Sequence, residues 1–424
     1  MNGLEAMRGL CACSPRIENV VMFVSDSLRW DYLPRSVADR GVVFKTVASS
    51  LFTGSSFPSM VTGLHPPKHG VLNFFDRLGK STTSLLNLDG YNTSLWNENT
   101  WLNCDPPHAT PLHRLLRQDR RVPLEDLPSP FIYLEDEKGG HCPYGWPFEE
   151  EGYKYEEWEC VRFIREHACD GREVLRRYYA RSIERSVQVF ERRLQTLERR
   201  GLTDRTLVVF TSDHGELLGE YGGHFGHGEI ACPEVVYVPT VFIHPALPGG
   251  VYCDGGGVLR HVDFFPTIMG LLGREAPSSV DGVDTVESGS ARVGYNHKET
   301  TVRTALMGVR LHHTGREISV WDENGGYVCR TGSSLKRLLL AIGKAFRGNG
   351  ITEVYLRQNS KGPGVLPLLK DYFKVWWYYW NPRLRFGRPG FTIEDAAAVI
   401  RKVDLDARTA TLRRLRRLKT GGSV

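Results

Sequence analysis

Apolar residues along this chain gather in short unbroken runs rather than in strict alternation. Val20-Val21-Met22-Phe23-Val24 and Leu207-Val208-Val209-Phe210 have the length and composition of strands buried on both faces. Each run is followed by a Ser-Asp step, Ser25-Asp26 and Ser212-Asp213. A further run, Phe131-Ile132-Tyr133-Leu134, ends in Glu135, Asp136 and Glu137. The clearest helical pattern is Glu173 to Arg200. It carries Val174, Tyr178, Ile183, Val187, Phe190, Leu194 and Leu197 near helical period, an Arg/Glu-rich opposite face, and Gly201 as a stop. Strand-like runs alternating with helix-like stretches from residue 17 to about 275 predict the α/β class, a sheet sandwiched between helices.

The ends of the chain are less regular. Residues 1–16 read as an irregular lead-in and 276–300 as a loop. Thr304–Arg310 and Ile318–Trp321 read as short strands that finish a domain spanning 17–330. Residues 331–424 read as a separate helical, basic region, with helices at Ser334–Phe346 and Glu394–Ile400, the latter capped by Thr392.

Open α/β sheets bind ligands beyond the carboxyl ends of their strands. Asp26 and the adjacent pair Asp213-His214 stand at two such ends, a carboxylate and imidazole set suited to a divalent cation. A capped turn with solvated side chains is the plainer alternative. The segment from Thr53 to Val71 places small hydroxyl residues at a turn before a short helix-like stretch. A hydroxyl at a helix N-terminus is well placed to attack an anion held by the free N–H groups and the positive end of the helix.

With Ser56-Phe57-Pro58-Ser59-Met60, Thr62-Gly63, His69-Gly70, Asp26, Asp213-His214 and Arg260 to Gly273 in order, the chain resembles the sulfatase branch of the alkaline phosphatase superfamily over roughly residues 17–330. The resemblance implies an alkaline phosphatase-like α/β/α sandwich with a large mixed, mostly parallel sheet and a small C-terminal region. It implies Ser56 as nucleophile and as a metal ligand beside Asp26, Asp213 and His214. The ion is one divalent metal, Ca²⁺, Mg²⁺ or Mn²⁺, with Zn²⁺ also compatible with the histidine. His141, in His141-Cys142-Pro143-Tyr144, would contact a substrate oxygen, and His224 or His227 would serve the leaving group. The strand end before His141 also fits a second-metal reading, with Glu137 in place of the usual Asp.

Departures narrow the chemistry. Asp26-Ser27 replaces the family's Asp-Asp, Met60 replaces the motif Arg, and the Lys and His expected near Gly90 to Trp101 are gone. An unmodified hydroxyl nucleophile brings the chain closer to phosphodiesterase and phosphoglycerol transferase relatives. Arg29 would either clamp an anionic oxygen or pair with Asp31, and Asn99 and Trp101 would shape the substrate pocket. Sulfate and phosphate esters both remain open, on a small-molecule or a glycan. The other readings are a transferase that decorates surface glycans and a catalytically silent binding protein on the same fold.

Composition changes this picture little. The chain has 424 residues, is 41% hydrophobic and 24% charged, and carries a formal charge of +5. That is an ordinary globular composition with no call for a nucleic-acid partner. Six Lys or Arg and no acid lie between Arg408 and Val424, most simply the solvated face of a packed terminal helix. With Trp376-Trp377-Tyr378-Tyr379-Trp380, that tail also suggests a peripheral membrane contact. No apolar signal-type stretch opens the sequence, and its nine cysteines are scattered without metal-type spacing, so a reduced, cytoplasmic setting is expected. The oligomeric state is left open.

Overall fold

The computed structural model describes residues 3–10, 16–97, 111–144, 163, 172–228, 230–253, 256–306, 309–335 and 380–419. The strands of the two larger sheets are β1 (Asn19–Ser25), β2 (Val42–Val47), β3 (Asn92–Trp96), β4 (Phe131–Glu137), β5 (Thr206–Thr211), β6 (Tyr237–Ile243), β7 (Val251–Tyr252), β8 (Leu259–Arg260), β9 (Gly294–Leu306), β10 (Val309–Trp321), β11 (Gly325–Arg330) and β12 (Arg383–Gly387), and Leu217–Gly219 pairs with His224–Gly226 in a small hairpin. The helices that matter here are α1 (Gly3–Leu10), α2 (Thr53–Thr62), α3 (Arg172–Arg199), α4 (His261–Leu271) and α5 (Ile393–Lys419).

An eight-stranded sheet runs β8-β2-β6-β5-β1-β4-β3, with β7 beside β2. β6 pairs antiparallel with both β2 and β5, whereas β5, β1, β4 and β3 pair in parallel. This is the expected α/β/α sandwich, and β1 shows why its run is unbroken. Alternate side chains of a strand face opposite ways. Val20, Met22 and Val24 enter one core with Phe57, Met60 and Val61 of α2 and Phe264, Phe265 and Ile268 of α4. Val21 and Phe23 enter the other with Leu175, Tyr179, Ile183, Phe190 and Leu197 of α3. The buried stripe of α3 therefore begins at Leu175 and Tyr179, one residue on from the predicted Val174 and Tyr178, which are only half-buried.

Several expectations are corrected at the periphery. The lead-in contains α1, anchored by buried Ala6, Met7 and Leu10. The loop expected at 276–300 ends early, because β9 begins at Gly294 and pairs with β10 along its whole length. The break expected at 330 falls inside a second, four-stranded sheet, β9-β10-β11-β12, whose last strand comes from residues 383–387. Trp321, Val328, Leu384 and Phe386 of that sheet share a core with Val47, Leu51, Leu217 and Val235. Thr392 does cap α5: its hydroxyl accepts from Asp395 N at 3.1 Å, while Asp395 Oδ2 accepts from Thr392 N at 2.9 Å. The helix expected over Ser334–Phe346 and the cluster Trp376–Tyr379 lie outside the described residues, apart from the first two residues of the former. Among the described residues no helix is long and apolar enough to cross a membrane.

Hydrogen bonds stitch the second sheet to the segment that feeds α2. Asn296 Nδ2 donates to Ala48 O at 2.8 Å, and Ser50 Oγ donates to His297 O at 2.8 Å. His297 N donates to Ser49 O at 2.9 Å. Neutral histidines are built into this region. His69 Nδ1 accepts from Val71 N at 3.0 Å, and His297 Nδ1 shares a 2.8 Å contact with Tyr295 Oη. Burial pushes both imidazoles down to about 3.

This burial sets a pH dependence. The folded state keeps both rings neutral, whereas the unfolded chain protonates them below about 6.5, so the unfolded state binds more protons and stability falls as pH falls. The contribution is fully present above pH 6.5 and should shrink by about 2 kcal/mol per histidine at pH 5. Urea midpoints measured from pH 8 to pH 4.5 should drop below pH 6.5, and His69→Gln should flatten that drop. An unchanged slope in the variant would show that His69 is not a source of it.

Candidate metal centre

The parallel pairing of β5, β1 and β4 brings three strand ends together. Val24 lies opposite both Thr211 and Asp136 in register. Asp26 therefore emerges next to Asp213 and Asp136 at one edge of the sheet. Space at this edge is tight. A Cβ on Gly139, which has φ +52°, would come within 2.4 Å of Asp26 O, and Gly140 N donates to that same oxygen at 2.7 Å. Ser27 takes the left-handed conformation, φ 61°, unusual for a side-chain-bearing residue. Tyr179 of α3 holds this turn, donating to Ser27 O at 2.7 Å and accepting from Arg29 N at 3.0 Å. The turn directs Ser27 N at Asp213 Oδ1, 3.2 Å, and Ser27 Oγ at Asp26 Oδ1, 2.8 Å.

Asp26, Asp213 and His214 are fully buried. Their ligand-type atoms lie within 4.8 Å of one another, the one such group of three among the described residues. Asp26 Oδ2 and Asp213 Oδ2 have no hydrogen-bond partner. His214 Nδ1 faces Gly215 O at 3.0 Å, which can only accept, so that nitrogen carries the proton. The lone pair of Nε2 then points at Asp213 Oδ2, 3.3 Å away, and Asp26 Oδ1, 3.8 Å away. A nitrogen lone pair and two carboxylates converging in a dry pocket repel one another unless a cation lies among them. Burial and the Asp213 charge push the Asp26 carboxyl well above its usual range. Burial also acts against Asp213, but His214, the Thr53 hydroxyl and the Ser27 amide outweigh it and hold that carboxyl below its ordinary value. The set fits a divalent cation.

The hydroxyl that meets this group is that of Thr53, not Ser56. Phe52 is the N-cap of α2, so Thr53 is the first helical residue, and its Oγ1 lies 3.4 Å from His214 Nε2. Ser56 lies a turn deeper, where its Oγ donates to Ser50 O at 3.3 Å. The pattern Ser-x-Pro-Ser pointed to Ser56. A hydroxyl on the first turn, the signal for Thr53, was present in the same segment.

Around the centre stands a second layer. His227 Nδ1 is 2.7 Å from Glu216 Oε2, and Tyr144 Oη donates to Glu216 Oε1 at 2.8 Å. The His227 ring lies 4.0 Å from that of His214 and 5.0 Å from that of His141, between centroids. His141 Nδ1 donates to Cys142 O at 2.6 Å. Burial pushes Glu216 up to about 7, and burial with the His141 charge holds His227 well below its usual value. Asp136 is buried beside them and accepts from Asn97 Nδ2 at 2.8 Å. Glu216, Tyr144 and Asp136 were not singled out as site residues by sequence. Arg29 is engaged by Asp31 at 2.7 Å and Glu220 at 2.8 Å, which is the ion-pair alternative rather than an oxygen clamp. His224 lies in a short strand, but its side chain is outside the described set, as are Asn99 and Trp101 altogether.

The sulfatase family model matches residues 138–274. Over 388 residues the chain is 32% identical to the low-salt glycan biosynthesis sulfotransferase Agl7 of Haloferax volcanii, covering 89% of each. The chain belongs to the sulfatase family. Its fold is shared with a 2-O GAG sulfatase at TM-score 0.55 and 15% identity, covering 82% of this chain and 94% of that one. It is also shared with the phosphonate monoester hydrolase of Agrobacterium radiobacter at TM-score 0.51 and 16% identity, covering 73% and 87%. This sulfatase-family protein is an enzyme that acts on sulfate or phosphate esters.

Cation occupancy should be visible without turnover. A ligand at about 100 times its dissociation constant stabilises the fold by about 2.7 kcal/mol. Adding Ca²⁺, Mg²⁺, Mn²⁺ or Zn²⁺ in turn should raise Tm by several degrees for at least one ion, and Asp213→Asn should abolish the rise. A Tm indifferent to all four ions in the wild-type protein would remove the metal centre.

Proposed function

We propose that the enzyme passes a sulfuryl or phosphoryl group from an anionic ester through Thr53 to a glycan hydroxyl or to water, with one divalent cation held by Asp26, Asp213 and His214. The observation that carries this reading is the Thr53 hydroxyl on the first turn of α2, 3.4 Å from His214 Nε2. A divalent cation bound there would lower the pKa of a neighbouring hydroxyl and draw charge from the ester oxygens. Thr53 Oγ1 releases its proton to water and bonds to the sulfur or phosphorus, while the bond from that atom to the donor's bridging oxygen breaks; Thr53 takes a proton back from water when the group later leaves it. The departing oxygen takes a proton through Nε2 of the protonated Glu216–His227 pair. An acceptor hydroxyl then returns a proton to the pair as its oxygen takes the group from Thr53. His141 contacts a non-bridging oxygen, and the free N–H groups at the start of α2 favour the same negative charge. His224, which opens the short strand just before His227, is a second candidate for the leaving-group role.

Transfer to a glycan is supported by the name and extent of the Haloferax relative, matched along nearly nine-tenths of both chains. Hydrolysis differs only in the acceptor, and the same residues serve it.

A panel of aryl sulfate, aryl phosphate and bis-aryl phosphate, each with and without a glycan acceptor, tests the assignment. Thr53→Ala should lower kcat by about a thousandfold or more on whichever ester the wild type uses. Ser56→Ala should stay within about tenfold, since its hydroxyl is spent on Ser50 O. Wild-type rates in Thr53→Ala would remove Thr53 as nucleophile.

A further inference from the structure

Lys298 lies on β9, outside every segment that resembled the sulfatase pattern. Its Nζ sits 4.0 Å from the centroid of the Phe52 ring, on the residue that caps α2 immediately before Thr53. On its other side the same Nζ lies 3.4 Å from where a Gly228 Cβ would stand, next to His227. Its charge is close enough to help hold the His227 imidazole below its usual value, after burial and His141. The ammonium is thus bracketed by the N-cap of the nucleophile helix and by the loop that carries the proton-donating histidine.

Its placement is enforced. The hydrogen bonds from Asn296 and to the carbonyl and amide of His297 fix β9 to residues 48–50, which lead directly into Phe52 and Thr53. One strand of the second sheet and the N-terminus of α2 are therefore a single framework. Lys298 is half-buried, whereas Asp26, Asp213 and His214 are sealed, which places it at the outer edge of the centre. Phe52 in turn packs edge-on against Phe74, ring centroids 5.8 Å apart, giving the stem of Lys298 an apolar wall.

We infer that Lys298 is a substrate-binding residue of the ester site, contributed by the second sheet, and that it holds an anionic oxygen of the sulfuryl or phosphoryl group between its Nζ and the start of α2. This deepens the reading of Thr53 as nucleophile and rests on it for the identity of the group bound. The role suits the departures noted in sequence. Met60 stands where the family's motif carries Arg, and the Lys and His near Gly90 to Trp101 are missing, so the usual cations for the ester oxygens are absent from those positions. Lys298 restores a cation from another part of the chain. As a point charge on a flexible stem, lysine suits a tetrahedral anion presented in more than one orientation.

The test uses the full chain with its divalent ion present, and Lys298→Met, Lys298→Arg and Thr53→Ala as variants. Methionine keeps the stem against Phe52 and removes the charge. Inorganic sulfate and inorganic phosphate are titrated by calorimetry, and kcat and KM are measured at two ionic strengths on the ester that the wild type uses. Lys298→Met should weaken binding of the anion by about tenfold, or about 1.4 kcal/mol, and any fall in Tm from the lost contact with Phe52 should be restored in Lys298→Arg. Its kcat/KM should also lose part of its salt dependence, whereas Lys298→Arg should keep both properties. Thr53→Ala should bind the anion while losing turnover. Wild-type anion affinity in Lys298→Met overturns the inference. A Lys298→Met protein with a lowered Tm whose loss Lys298→Arg does not rescue also overturns it, since the residue would then be structural. Retained turnover in Thr53→Ala instead counts against the nucleophile and leaves the anion titration to decide Lys298.

Discussion

Two carboxylates, Asp26 and Asp213, are driven into one dry pocket at the ends of neighbouring parallel strands, and the surrounding structure answers that repulsion. Like charges a few ångströms apart in a low-dielectric interior are costly. The protein reduces the cost with donors. Ser27 gives its amide to one carboxylate and its hydroxyl to the other, and the amide of His214 supports Asp213 at 3.0 Å. Tyr179 holds the strained turn that makes this possible. Even so, one oxygen of each carboxylate is left without a hydrogen bond. A group that accepts only from a cation is what such an arrangement selects for.

The same balance suits Ser27 at the position where the resemblance implied a second aspartate. A further carboxylate would add negative charge beside Asp26, Asp213 and the buried Asp136, whose own carboxyl is already pushed well above its usual range by burial and by Asp213. A hydroxyl at that position donates instead. The fixed charge of the two carboxylates then suits a divalent ion, with the neutral His214 beside them.

Much of this was legible in the residues. The unbroken apolar runs marked the central strands because both faces of β1 are covered, and the Ser-Asp steps marked the strand ends because a polar step ends a buried run. Asp26, Asp213 and His214 were picked out by their position at the strand ends, and the structure gathers their ligand-type atoms within 4.8 Å of one another. The hydroxyl was harder, since Thr53, Ser55, Ser56 and Ser59 all lie within one helical segment, and only the start of the helix distinguishes the one that reaches His214. Glu216, Tyr144 and Asp136 escaped because their roles depend on contacts across strands and loops, which no local period encodes. Arg29 was read both ways, and Glu220, far along the chain, decided for the ion pair. The pairing across residue 330 was hidden for a similar reason: β12 joins β11 across more than fifty intervening residues.

That long-range pairing bears on function. The second sheet could be taken for an appendage, because Asp26, Asp213, His214 and Thr53 all lie outside it. Yet the backbone of residues 48–50 is hydrogen-bonded to β9, and the direction of α2 is set by how those residues leave β2. Loosening β9 would therefore move Phe52 and Thr53 relative to His214, whose own position is fixed by β5. The distance from hydroxyl to imidazole is set by two sheets that fold from distant parts of the chain. Reaction geometry of this kind tolerates little error, since an ångström of misplacement at the reacting atoms costs orders of magnitude in rate. The C-terminal half of the protein is accordingly part of the active site's support, including the strand contributed by residues 383–387.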